Sequence, residues 1–220
     1  MNTAQHPPAL ATEGLTIERD GRVIARLPAL SLAPGASATL IGPSGSGKTS
    51  TILALTGIRP PHRGTLTIAG TDLWALPSAA RDRFRGQRIG LVFQSFHLVD
   101  ALTVAENLKL AATSAGLKPD VERIALLLKR LAIEELADRR ANALSTGQAQ
   151  RVAVARALVN KPALIIADEP TSALDDENAT ALLALLRENA ARENAALLIA
   201  THDRRVLEGS PLTISMERAQ

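Results

Sequence analysis

The chain contains no cysteine and no tyrosine, and its aromatic residues are limited to three phenylalanines and one tryptophan. The absence of cysteine excludes disulfides, cysteine-ligated zinc and iron–sulfur clusters. With aromatic residues at 2% of the chain, the core must be built from leucine, isoleucine, valine and alanine. Apolar runs stay far below the roughly 18 residues that a transmembrane helix needs, and the N-terminal residues lack a signal-peptide pattern. We therefore expect a soluble or peripheral protein.

Length, composition and charge indicate one globular domain. The 220 residues are 46% hydrophobic and 21% charged, which is a globular rather than a disordered balance. The formal net charge is +3, and the basic residues are scattered along the chain. Because nucleic-acid-binding domains concentrate their basic residues on one face, we expect no nucleic-acid partner.

The most specific pattern in the sequence is a phosphate loop of the form G-x-x-x-x-G-K-[ST]. Apolar runs at residues 38–41 and 51–55 flank it, so its context is strand, loop and helix. Backbone N–H groups of such a loop turn toward one anion, and the helix dipole adds positive charge there. Lys48 would reach the β- and γ-phosphates, and the Thr49 hydroxyl would ligate Mg²⁺. The sequence thus predicts a nucleoside triphosphate site formed by Gly42, Pro43, Ser44, Gly45, Ser46, Gly47, Lys48, Thr49 and Ser50.

Hydrophobic patterning predicts alternating strands and helices around this loop. Predicted strands cover residues 15–17, 23–25, 64–69, 89–93, 163–167 and 196–200. Predicted helices run from the phosphate loop to Gly57, from a capping box at Thr103, and over residues 121–132, 148–159 and 177–192. The expected fold class is α/β, with a parallel sheet, antiparallel strands near the start and an inserted group of helices.

An acidic pair follows the predicted strand at residues 163–167. Ligands of an open α/β sheet lie beyond the carboxyl ends of its strands, which places Asp168 and Glu169 beside the nucleotide. Asp168 is predicted to hold Mg²⁺, directly or through water, and Glu169 to polarise the attacking water as a general base. The alternative is that both residues only cap the following segment, and the neighbouring phosphate loop favours the metal and base roles.

A segment upstream of the acidic pair points to a family. Residues 144–151, with the sequence LSTGQAQR, resemble the LSGGQQQR signature of the ATP-binding-cassette (ABC) ATPases. Other landmarks of that family occur in the same order along the chain: Gln94 resembles its Q-loop glutamine, residues 172–175 its D-loop and His202 its switch histidine. Together the motifs span residues 35–205, which is nearly the whole chain.

The resemblance implies a fold and a dimer. The fold has a parallel-sheet, RecA-like core with an N-terminal antiparallel β subdomain over residues 12–93 and 160–216, and an α-helical subdomain over residues 94–159. Two chains would close head to tail around two ATP molecules, because a helix N-terminus with unpaired N–H groups is a second anion site. The residues that would contact the ATP bound by the other chain are Ser145, Gly147 and Gln148.

The resemblance also implies roles for single residues. His202 would contact the γ-phosphate and orient the attacking water beside Glu169, as a positioning group rather than the main base. A lone histidine at a strand end is more often only solvated, and the other motifs favour the functional role here. The implied catalytic residues are Lys48, Gln94, Glu169 and His202. The implied metal ligands are Thr49, Gln94 and Asp168.

The chain departs from the family pattern at the base site and in the signature. The family stacks adenine on an aromatic residue upstream of the phosphate loop, whereas this chain has no aromatic residue before Trp74. Arg19 falls near that position and could stack its planar guanidinium on the base, or it could be a solvated turn residue. In the signature, Thr146 replaces a glycine and Ala149 a glutamine, changes that would tighten or distort the phosphate site for the other chain's ATP and so alter the hydrolysis rate.

The segment from Gln94 to Leu98 resembles the lipoprotein-release and macrolide-export subfamily, which also includes a cell-division ATPase. The resemblance implies an ATPase at the cytoplasmic face of the cell membrane that drives a separate permease docked near residues 94–98, where Phe96 and Leu98 would form an apolar floor. Internal packing of those two residues is the alternative. Two other functions stay open: a cell-division type scaffold without translocation, and a soluble ATPase acting on DNA or ribosomes, which the absence of a second cassette disfavours.

Overall fold

The computed structural model describes residues 7–172, 174–207 and 209–216. The strands in these ranges are β1 (Leu10–Arg19), β2 (Arg22–Leu27), β3 (Leu30–Leu32), β4 (Ser37–Ile41), β5 (Arg63–Ile68), β6 (Thr71–Asp72), β7 (Ile89–Phe93), β8 (Leu164–Asp168), β9 (Ala196–Thr201) and β10 (Thr213–Ser215). The α-helices are α1 (Lys48–Leu55), α2 (Ser78–Arg88), α3 (Val104–Ser114), α4 (Val121–Arg130), α5 (Thr146–Leu158) and α6 (Asp176–Arg192).

A parallel sheet with the order β10-β4-β9-β8-β7 forms the centre of the fold. Its inner strands are continuous apolar runs, as is typical of strands buried on both faces. The register pairs Phe93 with Asp168, Asp168 with Ala200, and Leu40 with Ala200. The carboxyl ends of β4, β7, β8 and β9 therefore meet at one edge of the sheet.

An antiparallel sheet covers one face of the parallel sheet. Its order is β2-β1-β5-β6, with β3 also paired to β1. Asp20 and Gly21, with φ angles of 52° and 74°, form the turn between β1 and β2. Leu15 and Ile17 of this sheet share a core with Leu198 of the central sheet and with α1. This packing holds the β1–β2 hairpin next to the phosphate loop.

Helices α3–α6 cover the opposite face of the parallel sheet. Alternate residues of one strand point to the two sides: Leu197 and Ile199 pack with these helices, whereas Leu198 packs toward the antiparallel sheet. Residues of α3, α4 and α5 share this core with α6 rather than forming a separate one. Of the helices in the described part of the chain, none combines the length and apolarity needed to cross a bilayer.

The predicted fold class and most predicted elements are confirmed, with shifts at their ends. The helix predicted from residue 148 begins at Thr146, because Ser145 is its N-cap. The sequence patterns missed β3, β6, β10 and α2. Helix α2 buries none of its residues, so it carries no apolar stripe for periodicity to detect.

Two neighbouring leucines of α4 allow a matched test of this packing. Leu127 is fully buried in the core, whereas Leu126 is 50% exposed. We expect Leu127→Ala to lower the free energy of unfolding by about 2–5 kcal/mol, because it removes buried methyl groups and leaves a cavity. Leu126→Ala should change it by less than about 0.5 kcal/mol. Urea unfolding followed by circular dichroism measures both, and equal losses would contradict the assignment of this helix face to the core.

Candidate nucleotide-binding site

The phosphate loop lies between the end of β4 and the start of α1. Gly45 and Gly47 have φ angles of 81° and 85°, a left-handed conformation that strains any residue with a side chain. A Cβ atom on Gly47 would also lie 2.5 Å from the Cβ of Ala25, so the hairpin leaves room only for glycine. Gly47 is the N-cap of α1 and supplies no side-chain cap, which leaves the first N–H groups of the helix available to an anion.

Lys48 points back along the loop and is buried. Its ammonium donates hydrogen bonds to the carbonyl oxygens of Gly42 at 2.7 Å and Pro43 at 3.2 Å. The same nitrogen lies 3.3 Å from Oε1 of Glu169. The structure therefore brings the predicted phosphate-binding lysine and the predicted general base into direct contact.

Glu169 is held by groups from the neighbouring strand β9. Its Oε2 accepts a hydrogen bond from the Thr201 hydroxyl at 3.0 Å and lies 2.9 Å from Nδ1 of His202. Burial alone would raise the pKa of Glu169, but hydrogen bonds from His202, Thr201 and Lys48 outweigh it and hold that pKa below its usual range. The carboxylate is thus charged and oriented by three donors. Thr201 was not singled out by the sequence patterns, and its place at the end of a buried strand beside the switch histidine is the signal that could have revealed it.

Asp168, the last residue of β8, has the opposite electrostatic behaviour. Burial is the main reason that its pKa rises to about 6; the negative charge of Glu169 adds to this effect and Lys48 opposes it. Its Oδ1 is buried and has no hydrogen-bond partner among the described residues. A buried, unpaired carboxylate oxygen is costly unless a cation or donor satisfies it, so this atom suits a metal ligand.

Two cavities border the phosphate loop. The first has a volume of about 380 Å³ and is lined by Arg19, Ile24, Ser44, Gly45, Gly47, Lys48, Thr49, Ser50 and Glu169. The second, of about 560 Å³, is lined by Ile41, Gly42, Pro43, Ser44, His202, Ser215 and Met216. Ser46, the loop residue between Gly45 and Gly47, is fully buried, and its hydroxyl has no hydrogen-bond partner among the described residues. All the predicted phosphate-binding residues except Ser46 therefore line space of ligand size.

Arg19 reaches the first cavity, as the predicted base-stacking role requires. It ends β1, its side chain is 69% exposed, and its Nε lies 3.7 Å from the carboxylate of its neighbour Asp20. Ile24 of β2 lines the same cavity and was missed by the sequence patterns, because a single aliphatic residue in a hairpin gives no signal. Arg19 and Ile24 reach this cavity because the β1–β2 hairpin packs against the phosphate loop.

Gln94 follows β7 at the same edge of the sheet as the acidic pair. Its preceding residue Phe93 is the register partner of Asp168, and the Gln94 side chain is exposed. Phe96 is half-buried, and Leu98 packs partly against the helical core. Internal packing is thus part of the role of Leu98, which is less exposed than the docking prediction assumed.

The signature segment lies at the start of α5, away from the loop's cavities. Ser145 and Gln148 form a capping box: the Gln148 N–H donates to the Ser145 hydroxyl at 3.3 Å, and the Ser145 N–H to the Gln148 side chain at 3.0 Å. Gly147 is exposed, with nothing within 4 Å of the position that a Cβ would take. Thr146, the residue that replaces a glycine, is the first helical residue. In the D-loop, Ala173 lies outside the described residues.

The loop, the buried lysine and the acidic pair at the carboxyl edge of a parallel sheet define a phosphate-loop nucleoside triphosphatase. A family model described as ABC transporter matches residues 28–172, which is more than half of the chain. The chain therefore belongs to the ABC transporter family.

Known relatives and solved structures agree with this assignment. The chain is 46% identical to the lipoprotein-releasing system ATP-binding protein LolD 1 of Caulobacter vibrioides, over 84% of this chain and 82% of that protein. It is 38% identical to the ABC transporter ATP-binding protein YtrE of Bacillus subtilis, over 79% of this chain and 76% of the relative. The dimeric cassette MJ0796 bound to ADP and Pi superposes with a TM-score of 0.81 at 29% identity, covering 96% of this chain and 97% of that one.

The family assignment confirms the predicted class of activity. The chain is an ATP-binding subunit of an ABC transporter and an ATPase. The expected ABC ATPase fold is likewise confirmed. Among the relatives just described, none is a cell-division or scaffold protein, so that alternative gains no support.

The raised pKa of Asp168 predicts a pH-dependent effect on stability without nucleotide or metal. The pKa of the Asp168 carboxyl is 3.8 in the unfolded chain and about 6 in the folded chain, so protonation of this group favours the folded state. This contribution to stability is complete below pH 3.8 and is lost as the pH rises through about 6. Asp168→Asn removes the buried charge, so it should raise the free energy of unfolding at pH 8 by at most about 3 kcal/mol, and less at pH 5.

Urea unfolding in the presence of a chelator, at pH 5 and at pH 8, measures this difference. Asp82→Asn on the exposed helix α2 is the control, since Asp82 forms a surface ion pair with Arg85. An Asp168→Asn effect that is the same at both pH values would contradict the electrostatic description of the acidic pair.

Proposed function

We propose that two copies of this chain close head to tail on ATP and that hydrolysis drives a separate membrane permease of the lipoprotein-release type. The observation that carries the proposal is the pairing of a phosphate loop and uncapped helix N-terminus, which border a cavity of their own chain, with a second helix N-terminus at Ser145 that lies exposed at the surface. A second chain would supply the other half of each site. The dimeric cassette MJ0796 supports this arrangement.

Within one site, Lys48 and the loop N–H groups would hold the β- and γ-phosphates. The cradle fits a phosphate, because the Ser46 hydroxyl and the first N–H groups of α1 are without intramolecular side-chain partners in the described chain. Lys48 now pairs with Glu169, so a γ-phosphate would compete for the ammonium and loosen that pair. Glu169, freed from one of its three donors, becomes a stronger base toward water.

Residues for Mg²⁺ are also present. The Oδ1 of Asp168, which has no partner among the described residues, and the exposed hydroxyl of Thr49 are oxygen donors of the kind that Mg²⁺ prefers, and Gln94 directly follows the adjacent strand β7. When bound, the ion supplies positive charge that offsets the charge of the phosphates. His202, hydrogen-bonded to Glu169 and lining the cavity on the other side of the loop, would orient the attacking water.

The permease and its location are supported by the relatives. Three of them, from Caulobacter vibrioides, Rhodospirillum rubrum and Rhodopirellula baltica, are named lipoprotein-releasing system ATP-binding proteins, at 46%, 44% and 40% identity. A chain of this kind would lie peripherally on the cytoplasmic side of the membrane. Residues 94–98 would receive the permease, and residues 94–159 would form the helical subdomain that carries both this segment and the signature.

Substituting the general base tests the proposed hydrolysis. We expect Glu169→Gln to bind ATP yet lower the hydrolysis rate by about 10²–10⁴-fold, because the amide cannot accept a proton from water. The bound ATP should then hold a stable dimer, seen by size-exclusion chromatography with light scattering. Glu188→Gln, at an exposed glutamate of α6 that forms a surface ion pair with Arg192, is the matched control.

Lys48→Ala tests the phosphate-binding role of the loop lysine. Loss of the ammonium should weaken ATP binding or hydrolysis and prevent the ATP-dependent dimer. Full ATPase activity in Glu169→Gln would overturn the base assignment, and intact turnover in Lys48→Ala would overturn the role of the loop lysine.

If Arg19 stacks on the nucleotide base, the site should discriminate only weakly between bases. A guanidinium stacks on either purine with its planar face, so ATP and GTP should bind within about fivefold of each other, or about 1 kcal/mol. Arg19→Ala should weaken both, whereas Arg22→Ala, its exposed register partner in the hairpin, should leave both unchanged. Isothermal titration measures the affinities. A strong preference for ATP, or no effect of Arg19→Ala, would support the solvated-turn alternative instead.

A further inference from the structure

A bend in the chain after β7 is held by one side chain of α5. Phe96 and His97 have φ angles of 35° and 49°, in the left-handed region that residues other than glycine seldom adopt. Two such residues in succession persist only where neighbouring groups fix them. The guanidinium of Arg156 donates to both of their carbonyl oxygens, to that of Phe96 at 2.7 Å and also to that of His97.

The two ends of the bend are fixed by nearby residues instead. The ring of His97 also meets the ring of Phe93, which precedes the bend, edge to face with the ring centres 5.1 Å apart. At the far end, Asn107 accepts from the Val99 N–H at 2.8 Å and donates to the Val99 carbonyl at 3.2 Å. Arg156 thus ties the Phe96 and His97 carbonyls to a helix that lies about 60 residues further along the chain.

Helix α5 is firmly placed on the sheet and on neighbouring helices. A Cβ on Gly90 would lie 2.3 Å from the carbonyl oxygen of Ala157, so the helix rests directly on the backbone of β7. Beyond its end, Asn160 donates to the carbonyl oxygens of Gly86 at 2.8 Å and Ala111 at 3.1 Å. At 1.5 Å per residue, Arg156 lies about 16 Å along the helix from the signature serine.

We propose that Arg156 is a positioning residue that couples the signature at the start of α5 to the bend at residues 94–98. The proposal rests on the proposed function, in which the signature contacts the ATP of a second chain and the bend receives the permease. When dimerisation shifts α5, the guanidinium moves the Phe96 and His97 carbonyls with it. Arginine suits this role because its planar fork donates to two acceptors in one fixed geometry, whereas the lysine ammonium is a point donor on a flexible stem.

Hydrogen–deuterium exchange on the full chain tests the coupling. In the Glu169→Gln chain without nucleotide, Arg156→Met should speed exchange of the peptide covering residues 94–99 by about tenfold, since the bend loses its central contact. Arg156→Lys should give a smaller increase. Adding ATP and Mg²⁺ should change the exchange of this peptide in the parent chain but not in Arg156→Met.

Arg151→Met is the matched control on the same helix. The Arg151 guanidinium donates to the Leu131 carbonyl at 2.9 Å, so its loss should affect exchange near Leu131 and leave the bend unchanged. Should Arg156→Met fail to fold, a nucleotide response in Arg156→Lys as large as in the parent would overturn the proposal.

Light scattering on the same samples separates this proposal from the proposed function. An ATP-dependent dimer whose nucleotide response at residues 94–99 survives Arg156→Met would refute the coupling while leaving the dimer intact. If neither chain dimerises, the proposed function fails, and the coupling fails with it. In that case the exchange rates without nucleotide still decide whether Arg156 holds the bend.

Discussion

The alignment of four parallel strand ends at one edge of the sheet is the constraint on which the site depends. Backbone pairing sets Phe93 beside Asp168 and Asp168 beside Ala200, so the residues that follow each strand are neighbours before any side chain contributes. The apolar interiors of these strands maintain that register, because a slip of one residue would exchange the side chains that face the two cores. Catalytic geometry in this protein is therefore a consequence of core packing.

The two adjacent carboxyl groups at this edge of the sheet have pKa values shifted in opposite directions. Glu169 has three donors and a lowered pKa, whereas burial and its charged neighbour raise the pKa of Asp168 to about 6. Two carboxylates with opposite shifts suit two tasks, one as an oriented base and the other as an oxygen that awaits a cation. The pairing of Lys48 with Glu169 connects this division to the phosphate loop.

Much of this arrangement could be predicted from the sequence. The loop, the acidic pair and the buried strands carry strong local patterns, and each was predicted within one or two residues of its observed limits. Helix α2 escaped detection because it buries no residue, and the role of Thr201 depends on a neighbour 32 positions away. The contact of Arg156 with the bend spans 60 residues, so only the folded chain reveals it. Local sequence patterns thus predict the residues of the site well, but they do not predict the contacts between distant residues that hold those residues in place.

Cross-linking between two chains tests most directly whether the phosphate loop is half of a site completed by a second copy. Because the chain has no cysteine, Ser44→Cys in the loop and Ser145→Cys in the signature can be introduced without background, and both positions are exposed. With a non-hydrolysable ATP analogue and a short bifunctional maleimide, the double variant, or a mixture of the two single variants, should form a covalent dimer that depends on the nucleotide. A covalent dimer formed equally well by either single variant alone, or none under any of these conditions, would contradict the head-to-tail arrangement.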